Sequence, residues 1–287
     1  MSGKEIDEIS GVDTTGHEWD GIKELNNPLP RWWLWTFYAT IAFAIGYMIW
    51  YPAVPLINAA TPGISGETNR LALRRELAAV ETSRRDLAAR LGQMDLAAVR
   101  QDDELYRFAK AGGGSLFKIY CSQCHGSGAA GGPGYPNLND DDWLWGGDVE
   151  TIYATIVHGV RSGDPDGRES EMPAFGDGIL ERPDILAVSE YVVSLTGGDV
   201  DKSLAEAGRT VFADNCAACH GDDGRGNREL GAPDLADAIW LYGSGRDKIA
   251  AQVSHPRHGV MPAWAGVLRD ENIRQLAIYV HSLGGGE

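Results

Sequence analysis

All four cysteines of this 287-residue chain fall in two copies of one pattern, Cys121-Ser-Gln-Cys124-His125 and Cys216-Ala-Ala-Cys219-His220. Nothing else in the sequence constrains the fold as tightly. Four cysteines in a chain of this length do not make a disulfide scaffold, which is short and cysteine-dense. As two Cys-x-x-Cys-His pentads they fit c-type haem attachment. The two thiols add across the porphyrin vinyl groups, and the adjacent imidazole becomes the proximal iron ligand. The two-residue gap fits the separation of the vinyls, and the histidine must follow at once to reach the iron. One pentad alone could be half of a zinc site. Two that use every cysteine point to two covalently bound haem c groups.

The surroundings of the pentads repeat as well. Gly113 and Phe117 stand eight and four residues before Cys121, and Gly208 and Phe212 stand at the same offsets before Cys216. These positions share one face of a helix leading into the pentad, where a glycine permits close helix packing and a phenylalanine covers a haem edge. Pro136-Asn137-Leu138 matches Pro233-Asp234-Leu235. ILAVSEYVVSLTGG (Ile185–Gly198) matches IRQLAIYVHSLGGG (Ile273–Gly286), each an apolar helix with a tyrosine, ending in Ser-Leu before glycines that stop it. One module is therefore used twice, over residues 108–199 and 200–287.

These modules resemble class I cytochrome c domains, small all-α folds whose terminal helices cross over an enclosed haem. The resemblance implies methionine as the second axial ligand. Met1 is the initiator, Met48 lies in an apolar segment and Met94 precedes both pentads, which leaves Met172 in MPAF and Met261 in MPAW. In chain order this gives one methionine per repeat, Met172 after His125 and Met261 after His220. Histidine is the competing ligand: His158 and His258 recur in His-Gly-Val, and His255 and His281 are available too. Bis-histidine ligation would lower the potential. His158 and His258 are expected to be structural or near a propionate. Val260 directly precedes Met261, whereas RSGDPDGRESE separates Val160 from Met172, an insertion with the composition of a surface loop.

From Trp32 to Trp50 the chain carries no charged residue. As a helix this stretch measures roughly 28 Å, close to the hydrocarbon thickness of a bilayer. Trp32, Trp33 and Trp35 lie at one end and Trp50 and Tyr51 at the other, as interfacial aromatic belts, and Pro52 and Pro55 follow. About thirty polar, mostly acidic residues come first, unlike a cleavable signal peptide. A transmembrane helix is thus expected over residues 31–54. Lys23 and Arg31 precede it, and no Lys or Arg follows until Arg70. The positive-inside rule then leaves residues 1–30 in the cytoplasm and the haem domains in the periplasm. In the connector, residues 55–107, Leu73, Leu77, Val80, Leu87, Leu91 and Met94 form a heptad stripe interrupted by Arg84. It reads equally as an amphipathic helix against a neighbour or as a solvated spacer.

The segment Asp20–Pro55, with its Asn-Asn-Pro-Leu-Pro-x-Trp-Trp approach to the membrane, resembles the dihaem subunit of the cbb3-type cytochrome c oxidases. One anchor, a helical connector and two tandem haem c domains extend the likeness over nearly the whole chain, and none of the eight haem-ligating positions departs from it. The expected fold is all-α: one N-terminal transmembrane helix, a connector helix and two tandem class I cytochrome c domains. The resemblance implies an electron-transfer subunit in the bacterial inner membrane. It would take electrons from a cytochrome c or the cytochrome bc complex and pass them to the monohaem subunit and the catalytic haem-copper subunit, where oxygen is reduced. Covalent haem attachment outside the bacterial cytoplasm, also implied by the family, agrees with the orientation read from charge. The sequence offers no acid–base pair or open metal position, so a catalytic site of its own is not expected.

The net charge of −16 is uneven: residues 101–199 hold 17 acidic against 6 basic residues, residues 200–287 hold 12 against 9. Such a surface steers a basic partner, or serves solubility alone; nucleic acid is not an expected partner. The rival readings are a dihaem cytochrome serving another periplasmic enzyme, a dihaem peroxidase, and a zinc-binding interaction protein. The paired methionines oppose the peroxidase, and the wide separation of the cysteine pairs opposes the common closed zinc site.

Overall fold

Before its first helix the chain forms a β-hairpin, an element absent from the all-α expectation. In the computed structural model, which describes residues 5–286, Thr14–Trp19 (β1) pairs antiparallel with Ile22–Leu25 (β2). Asp20 and Gly21 between them have φ of 49° and 84°, which a two-residue type I′ turn requires and Asp-Gly supplies. Residues 1–4 and 287, at the ends of the expected segments, lie outside the described residues. Among the described residues every other regular element is a helix. Residues 1–83 and 84–287 make two compact units.

Helix α1, Arg31–Trp50, begins after Pro30 and buries none of its side chains. Among the described residues it is the one helix long and apolar enough to cross a membrane. It stops at Tyr51, whose backbone is extended before Pro52. Helix α2, Asn69–Gln93, divides the heptad stripe at Arg84. Leu73, Leu77 and Val80 are exposed, while Leu91 is fully buried and Leu87 and Met94 pack beside it. Each of the two readings of this helix thus fits one half of it.

The second unit continues with α3 (Leu96–Val99), α4 (Asp103–Tyr120), α5 (Ser122–His125), α6 (Val149–His158) and α7 (Arg182–Leu195). The second repeat supplies α8 (Lys202–Asn215), α9 (Ala217–His220), α10 (Arg246–Ser254) and α11 (Asp270–His281). Aspartates start α4, α6 and α8: Asp102, Asp148 and Asp201 accept from backbone N–H groups of Leu105, Thr151 and Ser203 at 3.0, 2.8 and 2.9 Å.

Neither repeat closes on itself. The helix entering the first pentad, α4, packs against α11 at the end of the second repeat, and α8 packs against α7 at the end of the first. Two cores result. One joins Leu105, Phe117, Ile152 and Ile156 to Leu268, Ile273 and Leu276; the other joins Val188 and Val192 to Phe212, Ile249 and Val253. The glycine–phenylalanine face foreseen in each entering helix finds its partner in the opposite repeat. A Cβ at Gly113 would overlap the Gln275 carbonyl on α11, and one at Gly208 the Ala187 carbonyl on α7. Phe117 lies 5.4 Å from Tyr279 between ring centroids, and Phe212 lies 5.2 Å from Tyr191. Burying each phenylalanine contributes about 1.5–3 kcal/mol.

The exchange is made by two segments that cross. Val160 and Met261 form an antiparallel bridge, and Trp264 N–H donates to Ile156 O at 3.1 Å. In mirror fashion Gly176 N–H donates to Ser254 O at 2.9 Å. Arg161 ties both passes of the chain, donating to the Gly259 and Ser170 carbonyls at 2.7 Å each. The insertion foreseen as a surface loop is therefore fastened. Arg168 within it also donates to Thr155 Oγ1 at 3.0 Å and lies 5.1 Å from the Trp145 ring.

Candidate functional site

Each pentad sits where an entering helix breaks and a single helical turn follows. Cys121 caps α4 and opens α5; Cys216 does the same between α8 and α9. The short turns stop at Gly126 and Gly221, with φ of 77° and 78°, a conformation that side chains with a Cβ rarely adopt. The next loop aims the histidine. His125 Nδ1 is 3.0 Å from the Pro136 carbonyl, and His220 Nδ1 is 3.1 Å from that of Pro233. A carbonyl can only accept, so Nδ1 carries the proton and the Nε2 lone pair is left for a metal. This gives the repeated Pro-Asn-Leu and Pro-Asp-Leu motifs a physical role. Burial pushes both imidazoles below the usual histidine range, with the carbonyl bonds opposing it, and so favours the neutral, ligating form.

None of the four cysteines is joined to another in a disulfide. Within each pair the first is more enclosed and the second exposed. Burial, together with the neighbouring thiol, pushes Cys121 and Cys216 up to about 11. In each pair the enclosed thiol, Cys121 or Cys216, is thereby held neutral.

A cavity of about 460 Å³ joins Cys216, Cys219 and His220 to Met172. Its apolar lining comes from both repeats, with Phe175 and Val188 from the first and Trp240 and Val253 from the second. Met172 follows His125 in sequence, but the fold delivers it to the cavity of His220. Met261 is delivered the other way: it packs on the core against which Cys121 also packs, and Trp264 beside it meets Tyr120 edge-on at 5.6 Å. The thiol pair, the imidazole with its free Nε2 and a thioether on one apolar cavity are the donor set that a covalently bound haem c requires.

The remaining histidines take other places. His158 Nδ1 lies 3.3 Å from Asp164, His255 Nε2 lies 3.3 Å from Asp177, and His281 is buried in the last turn of α11. His258 is exposed and lines the cavity. Sequence reading overlooked the polar side of that cavity, where Asp140, Asp142, Arg161 and Arg257 stand. Burial, with Asp237, Asp140 and Asp234 nearby, pushes Asp142 up to about 6. No sequence signal marks it, because its neighbours come from both repeats.

Residues 11–58 match the family described as the N-terminal domain of cytochrome oxidase-cbb3, FixP, and residues 108–192 and 203–280 match that described as cytochrome C oxidase, cbb3-type, subunit III. Among similar proteins is the cbb3-type cytochrome c oxidase subunit FixPc of Rhizobium leguminosarum bv. viciae, 57% identical over the full length of both chains. Subunit FixP of Rhizobium etli is 55% identical, again over the full length of both. Subunit CcoP of Cereibacter sphaeroides is 53% identical over 96% of this chain and 95% of its own. With its pentads, its anchor helix and this full-length likeness, the chain belongs to the FixP/CcoP family of cbb3-type cytochrome c oxidase subunits.

Proposed function

We propose that the chain carries two covalently attached haem c groups and conducts electrons through them within the oxidase, without a catalytic site of its own. Cys121 and Cys124 would hold one haem and Cys216 and Cys219 the other. His125 with Met261, and His220 with Met172, would supply the axial ligands. The observation that carries this reading is the cavity in which Met172 meets Cys216, Cys219 and His220. Held by a histidine and a methionine, each haem c would supply a one-electron redox centre.

The chain's own residues do the remaining work. The Pro136 and Pro233 carbonyls fix the imidazole tautomers. Phe117 and Phe212, both fully buried, keep water from the pentads and fill the seam where α4 meets α11 and α8 meets α7. The donor would be a cytochrome c or the cytochrome bc complex, and the acceptor the monohaem subunit, which leads on to the catalytic haem-copper subunit. The acidic excess of residues 101–199 supports encounter with a basic cytochrome through electrostatic steering. Charge flanking α1 supports a cytoplasmic N-terminus and periplasmic haem domains.

The test is purification of the tagged chain from native membranes in mild detergent. Oxygen consumption driven by reduced cytochrome c, with b-type haem and copper copurifying, is the expected result. A haem-bearing assembly of intact subunits that lacks copper and oxidase activity would move the chain to another respiratory enzyme.

A further inference from the structure

The uncharged run that begins at Trp32, one residue into α1, does not stop with the helix. It continues for sixteen residues, through Gly66, to the first charge at Glu67. Those residues are folded. Leu56 N–H donates to Ala59 O at 2.6 Å, Thr61 N–H donates to Val54 O at 2.9 Å, and Pro55 bridges Ala60. Thr61 Oγ1 accepts from Val54 N–H at 3.1 Å. The returning arm is stitched to the helix end, Ile64 N–H to Ile49 O and Ser65 N–H to Trp50 O, both at 3.0 Å. Gly63 makes this approach possible: at φ 67° its missing Cβ would lie 2.6 Å from the Trp50 carbonyl oxygen.

We propose that residues 51–66 form an interfacial hairpin that inserts Leu56 and Ile57 into the lipid at the end of the span. The proposal rests on α1 as the membrane span. Two physical conditions for lipid contact are met. Several backbone polar groups of the hairpin bond within it or to the helix end, which lowers the cost of entering a medium without water. The apolar side chains at its tip are exposed: Leu56 is 59% exposed and Ile57 101%. The base of the hairpin is fixed at the membrane boundary, because the bond to Ile49 holds Ile64 level with the last turn of the helix, beside the Trp50–Tyr51 belt.

Lipid fits this surface better than a protein partner. A protein interface carries a polar rim around its apolar centre, and this hairpin has no charged residue along its length. The cleft between it and the helix is lined by Ile45, Met48, Ile49, Val54, Pro62 and Ile64. It is open and apolar, suited to an acyl chain.

The assembled oxidase allows a direct test, since all four native cysteines lie in the haem pentads. Ile57→Cys and, separately, Leu56→Cys are labelled with a nitroxide, and the complex is reconstituted in phosphatidylethanolamine–phosphatidylglycerol vesicles. Collision with oxygen, which concentrates in lipid, is compared with collision with a water-soluble nickel chelate. Oxygen should dominate at both positions. Dominance of the chelate would overturn the proposal, placing the tip in water. Shielding from both reagents would also overturn it, placing the tip under another subunit. A label at Ala44, mid-helix, separates the two levels: if it too favoured the chelate, the span itself would fall, and the hairpin with it.

Discussion

Val160 and Met261 exchange both of their backbone hydrogen bonds, at 2.9 and 3.0 Å, although they belong to different repeats. At this point the second repeat hands its methionine arm and last helix to the first. The reciprocal arm, from Met172 to α7, goes to the second. Four predictions depend on this exchange or on the contacts that hold it.

The ligand pairing is separable by substitution. In a chain with Cys216→Ala and Cys219→Ala, one haem remains, on Cys121 and Cys124. Met261→Leu in that background should abolish the methionine–iron charge-transfer band and lower the midpoint potential, while Met172→Leu should leave both unchanged. Pairing in chain order would give the opposite pattern.

A cut between the repeats should not part them. With a protease site inserted at Gly197–Gly198, in the exposed loop before α8, cleavage should give two haem-stained bands on a denaturing gel. Under native conditions the same material should run as one particle in size exclusion, because α7 stays on α8 and α11 on α4. Two independent domains would separate.

Glycines at the exchanged seams should not tolerate a methyl group. Gly208→Ala pushes against the Ala187 backbone and should cost about 1–3 kcal/mol, as overpacking does. Gly92→Ala on α2 meets nothing within 4 Å, so the gain in helix propensity should leave it neutral or stabilising by up to about 1 kcal/mol. Thermal melts followed by circular dichroism would rank the two.

Glu190 gives a pH signature. Its side chain is 1% exposed on α7, accepts from Asp201 N–H at 2.6 Å and pairs with Arg246. Arg246 holds its carboxyl below the ordinary value of 4.5. A depressed folded-state pKa stabilises above the unfolded value and loses that contribution as pH falls through the folded one. Glu190→Gln should therefore cost about 1–3 kcal/mol at neutral pH, with the difference shrinking below about pH 4.5. A gap that stayed constant from pH 7 to pH 3 would show that charge plays no part.

What the sequence made legible is what is local. The pentads, the glycine and phenylalanine positions four residues apart on one helix face, and the uncharged span each depend on neighbours within a few turns. The Asp20-Gly21 turn was equally local, and the hairpin it marks could have been read. The exchange could not. Both repeats carry the same helix-packing face, so α4 fits α7 or α11 by pattern alone, and the choice is made by contacts such as Arg161 with Gly259 that no periodicity encodes. The α2 stripe was ambiguous for a related reason: Leu77 and Leu91 are the same residue type at heptad spacing, and only the second unit's core distinguishes them.

The placement of Met261 and α11 also sets a timetable. A chain made from its N-terminus presents the first pentad early, yet the helix that packs on α4 is α11, made after the second pentad. Until residues 261–281 arrive, α4 lacks the helix it packs against most closely, and the core around Phe117 is only partly built. The second pentad follows a different schedule, since α7 is already made when α8 appears. Domain-by-domain folding during synthesis is thus closed to the first haem unit, which becomes complete only when α11 has been made.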